Sequence, residues 1–286
     1  MTLRNLDALL APKSVVLVGA SERPQSVGAT VLRNLLQGGF QGGLQLANPK
    51  YRELSGLACH RSVSKLPEPA DLAILCTPAH TVPGLIAELG ARGTRAAVVL
   101  SSGFGNASVP QQVALRQRML DAARPHLLRI LGPNCIGLLL PHIGLNASFA
   151  HRNALPGRLA FVSQSGALMT AVLDWAAARQ IGFSRFLSLG DGADVDFGDL
   201  LDFLAGDAAT EGILLYVEAV TAARKFMSAA RAAARNKPVL IVKSGRGAAG
   251  TRAALSHTGA LAGSDPVYDA AIRRAGMLRV DTTEEL

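Results

Sequence analysis

Short apolar runs that stop abruptly at small or polar residues recur along this chain, and they constrain its fold more than any other feature. Ser14–Val18 (SVVLV), 44–47, 71–76 (DLAILC), 96–100 (AAVVL) and 128–131 are too short for typical helices. They are apolar nearly throughout, as strands of a parallel sheet buried on both faces must be. Helices are expected at Leu6–Leu10, from Ser26 onward and at 81–90. The alternation resumes with strands at 159–163 (LAFVS), 186–189, 213–217 (ILLYV) and 238–243 (PVLIVK), and closes with a short one at 278–280. Between these runs, helices are expected at 167–179, 222–235 and 266–276. This rhythm predicts an α/β fold of doubly wound parallel sheets flanked by helices. At 286 residues there is room for two domains, expected at 1–150 and 151–286, with the aperiodic segment 142–158 as linker.

Several function classes are disfavoured at this stage. The opening MTLRNLDALLAPK lacks a secretory pattern, and no apolar run reaches the ~18 residues of a membrane span, so a cytoplasmic protein without a membrane partner is expected. Cys59, Cys76 and Cys135 have neither metal-ligand spacing nor the numbers for a disulfide framework, and no metal site is expected. The net charge of +8 is uneven: residues 1–150 carry 14 Lys and Arg against 7 Asp and Glu, residues 151–286 carry 15 against 14. Without basic blocks interleaved with aromatics, this suits a multiply phosphorylated ligand in the first half better than nucleic acid.

The strand ends carry the chemistry. After Val18 the chain reads GASERPQSVGATVL, a loop in which Gly19, Ala20, Ser21, Val27 and Gly28 can admit a phosphate toward backbone amides and a helix N-terminus. Gly19 and Gly28 are too far apart for the dinucleotide fingerprint, and no acidic residue follows the second strand to hold a ribose, which disfavours a dehydrogenase. Lys50 follows that strand instead. SSGFG at 101–105 and GPNCIG at 132–137 end the fourth and fifth runs. In the second half, Ser163, Gln164, Ser165 and Gly166 open a helix and offer amides to an oxyanion; Ser165 lacks the GxSxG setting of a nucleophile. Asp191, Asp194, Asp196 and Asp199 do not have the spacing of a calcium loop, and Asp196 is read as a helix cap. Glu218 ends the ILLYV strand, and His257 lies among small residues in ALSHTGALAGSD, where an imidazole is accessible to a bulky reactant.

VGASERPQSVG, NPK, SSGFG, GPNCIG, LAFVSQSGAL, SLGDGADVD, YVEAV, KPVLIVKSGR and SHTGALAGSD stand in this order across nearly the whole chain. In this the chain resembles the N-terminal portion of the ADP-forming (NDP-forming) acyl-CoA synthetases, the acetate–CoA ligase type. The resemblance implies a Rossmann-like CoA-binding domain followed by a flavodoxin-like, succinyl-CoA-synthetase-like domain. It implies that His257 is phosphorylated, that Glu218 is its carboxylate partner, and that Ser163–Gly166 contribute to the phosphohistidine site. It also implies that coenzyme A meets Gly19, Ala20, Ser21, Val27 and Gly28, with Lys50 near its phosphates. Ser102, Gly103 and Phe104 would run along it, with Asn134 and Cys135 near its thiol end. Asp191 stands where many relatives have asparagine. The implied reaction joins a small carboxylic acid to CoA with ATP, giving ADP and phosphate through acyl phosphate and phosphohistidine. ATP, ADP and Mg would be bound by an ATP-grasp domain or subunit not found in this sequence, within an oligomer, so that the chain alone would be inactive. The competing expectation is a CoA-sensing regulatory region of a protein lysine acetyltransferase.

Overall fold

The computed structural model describes residues 3–105, 108–245 and 264–286. From the N-terminus, α1 (Leu6–Leu10), β1 (Ser14–Val18), α2 (Val27–Gln37) and β2 (Gly43–Ala47) lead into a hairpin of β3 (Glu53–Leu54) and β4 (Leu57–His60). Then come β5 (Leu72–Leu75), α3 (Val82–Ala91), β6 (Ala96–Val99), α4 (Pro110–Ala123) and β7 (Arg129–Leu131). These strands form one sheet in the order β3-β4-β2-β1-β5-β6-β7, parallel except for β3. Without β3 this is the doubly wound order whose crevice opens between β1 and β5, where the sheet changes its direction of growth. The β3–β4 hairpin was not legible in the sequence because its strands are two and four residues long. Its turn is made by Ser55 and Gly56, both at positive φ (52° and 79°), the pairing a two-residue hairpin of matching twist requires.

The second sheet draws on β8 (Gly137–Leu140), β9 (Leu145–Ser148), β10 (Pro156–Ser163), α5 (Gly166–Ala178), β11 (Phe183–Ser188) and α6 (Phe197–Gly206). It is completed by β12 (Gly212–Val217), α7 (Ala223–Asn236), β13 (Val239–Lys243), α8 (Asp265–Ala275) and β14 (Leu278–Val280). Its order is β14-β13-β12-β10-β11-β8-β9. The run β11-β10-β12-β13-β14 is parallel and follows the flavodoxin-like order, with its switch point between β10 and β12. β8 extends it antiparallel to β11, and β9 follows antiparallel to β8. The segment expected as a linker, 142–158, thus holds a fully buried strand, β9, and the start of β10. Its alternation was invisible because LNAS is buried through hydrogen bonding as well as apolar contact. Asn34 of α2, only 4% exposed, donates to the carbonyls of Ser148 (2.9 Å) and Ala150 (2.7 Å).

The two sheets share a hydrophobic core that runs from Leu9, Leu17 and Leu32 to Leu187, Leu201 and Ile241. A polar clasp reinforces the join. Arg129 Nε lies 3.0 Å from Asp194 and its Nη2 3.0 Å from Asp199, with the Arg129 side chain 12% exposed and that of Asp199 4%. Lys225 pairs with Asp199 at 2.6 Å and Asp196 at 3.0 Å. Asp196 and Asp199 also form the capping box of α6. The acidic cluster is therefore spent on interdomain pairs and a cap. Among the described residues no group of three or more His, Cys, Asp and Glu is placed to hold a metal. Nor is any described helix long and apolar enough to cross a membrane.

Candidate functional site

At the β1/β5 crevice lies a cavity of about 750 Å³. Its floor exists because two glycines let the backbone close in. A Cβ on Gly28 would stand 2.1 Å from the Gly19 carbonyl oxygen, and one on Gly19 (φ +91°) 2.8 Å from the Cys76 carbonyl. The nine-residue glycine spacing thus brings the start of α2 directly onto the end of β1. Ser26 caps that helix, accepting from Ala29 N at 3.2 Å. Gly19, Ser21, Val27, Gly28 and Lys50 all line the cavity, as do Arg23, Tyr51, Arg61 and Thr77, which the sequence reading did not single out. Arg61 follows β4, a strand too short to show in the sequence, while Arg23 sits inside the glycine loop and is legible there. The loop after β2 is held by Asn48, which donates to the Ala20 carbonyl (2.7 Å) and accepts from Lys50 N (2.9 Å). Ala20 itself is fully buried and contributes that carbonyl, not a surface.

Other expected ligand contacts stand apart from this cavity. Phe104 is 1% exposed and belongs to the core of the first sheet, next to Ser102 and Gly103. Asn134 is exposed and donates to Asp191 Oδ1 at 3.1 Å, joining the GPNC and SLGDG loops across the two sheets. Asp191 N donates to the Pro133 carbonyl (2.9 Å) and Ala193 N to that of Gly132 (2.9 Å). Burial pushes the Asp191 carboxyl up, against the Asn134 hydrogen bond. Cys135 is 4% exposed, with its thiol 3.5 Å from the Val99 carbonyl.

Burial pushes the thiols of Cys76 and Cys135 up to about 12. A raised pKa means less thiolate at a given pH, so at pH 8 each should present roughly a thousandfold less nucleophile than an ordinary cysteine. Alkylation by iodoacetamide, followed by mass spectrometry, should label the buried Cys135 far more slowly in the native than in the denatured protein, while Cys76 is only half-buried at the cavity wall. Equal rates would contradict this burial.

On the second sheet, parallel pairing aligns Ser163 with Tyr216 and Val217 with Lys243, so the ends of β10, β12 and β13 share one edge. Ser163 is fully buried, and its hydroxyl closes its own turn, donating to the Ser165 carbonyl (2.9 Å) and accepting from Ser165 N (3.1 Å). Ser165 caps α5 by accepting from Leu168 N at 3.3 Å. These hydroxyls shape the turn, and the first-turn amides of α5 remain the natural donors to an anion. Gly166 packs under Ile136, whose side chain a Cβ there would meet at 3.0 Å. The side-chain oxygen Oε1 of Gln164 accepts from Glu218 N (2.7 Å) and Ala219 N (3.0 Å), bolting the β10–α5 turn to the residues that follow β12. His257 lies outside the described residues. The flanking residues Gly245 and Ser264 leave β13 and enter α8, and Ser244 N donates to the Val217 carbonyl at 3.0 Å beside Glu218.

A cavity at the switch point of one doubly wound sheet, joined to a second, flavodoxin-like sheet, defines a two-domain α/β protein. Residues 13–141 match the CoA binding domain family and residues 156–286 the succinyl-CoA ligase like flavodoxin domain family. The chain belongs to the ADP-forming acid–CoA ligase family, of which it carries the CoA-binding and succinyl-CoA-synthetase-like domains. It is 42% identical over 281 residues to acetate–CoA ligase (ADP-forming) I of Archaeoglobus fulgidus, covering 98% of this chain and 41% of that one. It is 39% identical over 285 residues to the alpha subunit of acetate–CoA ligase (ADP-forming) I of Pyrococcus furiosus, covering 98% and 62%. Among solved structures, it resembles the dinucleotide-forming acetyl-coenzyme A synthetase 1 of Ca. Korarchaeum cryptofilum in complex with phosphate and ADP. There the TM-score is 0.92 and the identity 38%, over 98% of this chain and 60% of that one. The chain thus spans between two fifths and two thirds of the length of these relatives. The acetyltransferase-region alternative gains no support from them.

Proposed function

We propose that this chain is the CoA-binding and phosphohistidine-bearing part of an ADP-forming acyl-CoA synthetase, acting in the cytoplasm on a small carboxylic acid. The nucleotide and its magnesium would be handled by an ATP-grasp domain or subunit of the same assembly. The observation that carries this reading is the pairing of a glycine-floored, cation-lined cavity with an edge that brings Glu218 beside the start of α5. Coenzyme A, whose thiol receives the acyl group, fits the first site. Gly19 and Gly28 keep its floor open, while Lys50, Arg23 and Arg61 offer charge to its phosphates. Ser102–Phe104, Asn134 and Cys135 would serve by holding the neighbouring loops in place.

At the second site His257 would carry the phosphoryl group between acyl phosphate and nucleotide. One imidazole nitrogen must be free to attack, and Glu218 would accept a hydrogen bond from the other, fixing the tautomer. The amides at the Ser163–Gly166 turn and α5 start would receive phosphate oxygens.

Calorimetric titration with CoA tests the first assignment. Lys50→Ala should weaken binding about tenfold, and raised salt should weaken it further, because exposed phosphate contacts are screened. Gly28→Ala should cost about 10- to 100-fold, since the helix start must move off the Gly19 carbonyl. CoA affinity untouched by both substitutions would remove this cavity as the CoA site.

A further inference from the structure

We propose that Tyr268 and Lys243 are a positioning pair that fixes the Glu218 carboxylate for its work on the imidazole; this rests on the phosphohistidine reading given above. The turn after β12 is held in an unusual way. The amides of Glu218 and Ala219 donate to the Gln164 side chain at 2.7 and 3.0 Å, and that of Val220 donates to the Tyr268 hydroxyl at 3.2 Å. Successive amides are thereby bonded to side chains from two elements on opposite sides of the turn, the β10–α5 corner and α8. A turn left to solvent needs no such bracing; a carboxylate that must meet a partner within a few tenths of an ångström does.

Lys243 completes the device. It ends β13, is 4% exposed, and places its ammonium 4.6 Å from the centre of the Tyr268 ring, where the ring face attracts a cation. The amine also donates to the Ser244 carbonyl. Among the described residues, the charged and titratable groups around it are Glu218 just after β12, Asp265 and Tyr268 on α8, and Arg279 on β14; Tyr216 of β12 also faces Glu218. Arg279 is engaged by Asp265 and Asp269, and among the described residues Lys243 is a cation whose field reaches Glu218. Burial lowers the Lys243 pKa; Asp265 and Glu218 oppose that shift and Arg279 adds to it. A cation near a carboxylate favours its ionised, hydrogen-bond-accepting form.

The test is the initial rate at which [32P]acetyl phosphate labels the full-length protein, measured across pH, with hydrogen exchange of the 217–222 peptide and Tm alongside. Tyr268→Phe keeps the ring and removes the acceptor. It should slow labelling about tenfold and speed exchange at that turn, with little change in Tm. Lys243→Met should move the acid limb of the rate profile to higher pH, because a carboxylate without its cation is protonated more easily, and Lys243→Arg should restore the limb. Wild-type rate and pH profile in both Tyr268→Phe and Lys243→Met would overturn the pair while leaving the phosphohistidine intact. Absence of label on His257 in the wild type would overturn the underlying reading and the pair with it.

Discussion

His257→Ala is expected to abolish phosphoryl transfer from acetyl phosphate to the full-length protein while leaving CoA affinity unchanged. The two halves of this expectation have separate physical grounds. The cavity at the β1/β5 crevice is built from residues of the first sheet alone, so a change in the second should not disturb it. The segment that carries His257 leaves from Gly245 and returns at Ser264, and Ser244 is hydrogen-bonded to Val217, the last residue of β12 and the one before Glu218. Glu218→Gln, which keeps an acceptor atom but removes the charge that stabilises an imidazolium, should slow labelling about 100-fold or more. Phosphopeptide mapping under alkaline conditions should find the label on the SHTGALAG peptide. Label that persists in His257→Ala would move the phosphoryl carrier to another residue.

The largest effect on stability is expected from Arg129. Its guanidinium bridges Asp194 and Asp199 across the join between the sheets, and the Asp199 side chain is only 4% exposed. Removing the cation strands the buried Asp199 carboxylate beside the half-buried Asp194, and Lys225, which of these two pairs with Asp199 only, cannot replace both bonds. Arg129→Met should therefore cost about 3–5 kcal/mol, the usual consequence of removing one member of a buried pair. Urea denaturation followed by circular dichroism measures it directly. Because Asp194 also accepts from Ile130 N at 2.8 Å, the variant should loosen the attachment of β7 to the second sheet. A loss below about 1 kcal/mol would mean that the shared hydrophobic core alone holds the domains together. The double variant Arg129→Met, Asp194→Asn would separate lost attraction from stranded charge, since it removes one of the carboxylates left behind.

The α/β class was legible because a parallel strand buried on both faces must be apolar at successive positions, and Ser14–Val18 is found at the boundaries the sequence implied. Helix starts were legible for a related reason. Ser26, Ser165 and Asp196 each accept from a first-turn amide, a local bond needing no distant partner. The glycine loop, the SQSG turn and the carboxylate at the end of ILLYV were likewise written in adjacent residues.

Only the tertiary structure decided which of these strand ends face a common site and what each side chain does there. β8 and β9 carry no periodic signal, because an antiparallel edge can be assembled from LLL and LNAS once β11 and α2 are present to satisfy them. The acidic run after SLG could not be told from a surface cluster until Arg129, some 65 residues earlier, was brought against it. Gln164 reads as a phosphate ligand by its neighbours, yet its side-chain oxygen is committed to Glu218 and Ala219, which lie 54 and 55 residues away. Lys243 and Tyr268 read as a strand end and a helix residue. Local sequence fixes backbone preference and capping, whereas the pairing of side chains across a sheet edge depends on strand order, and strand order is a property of the whole chain.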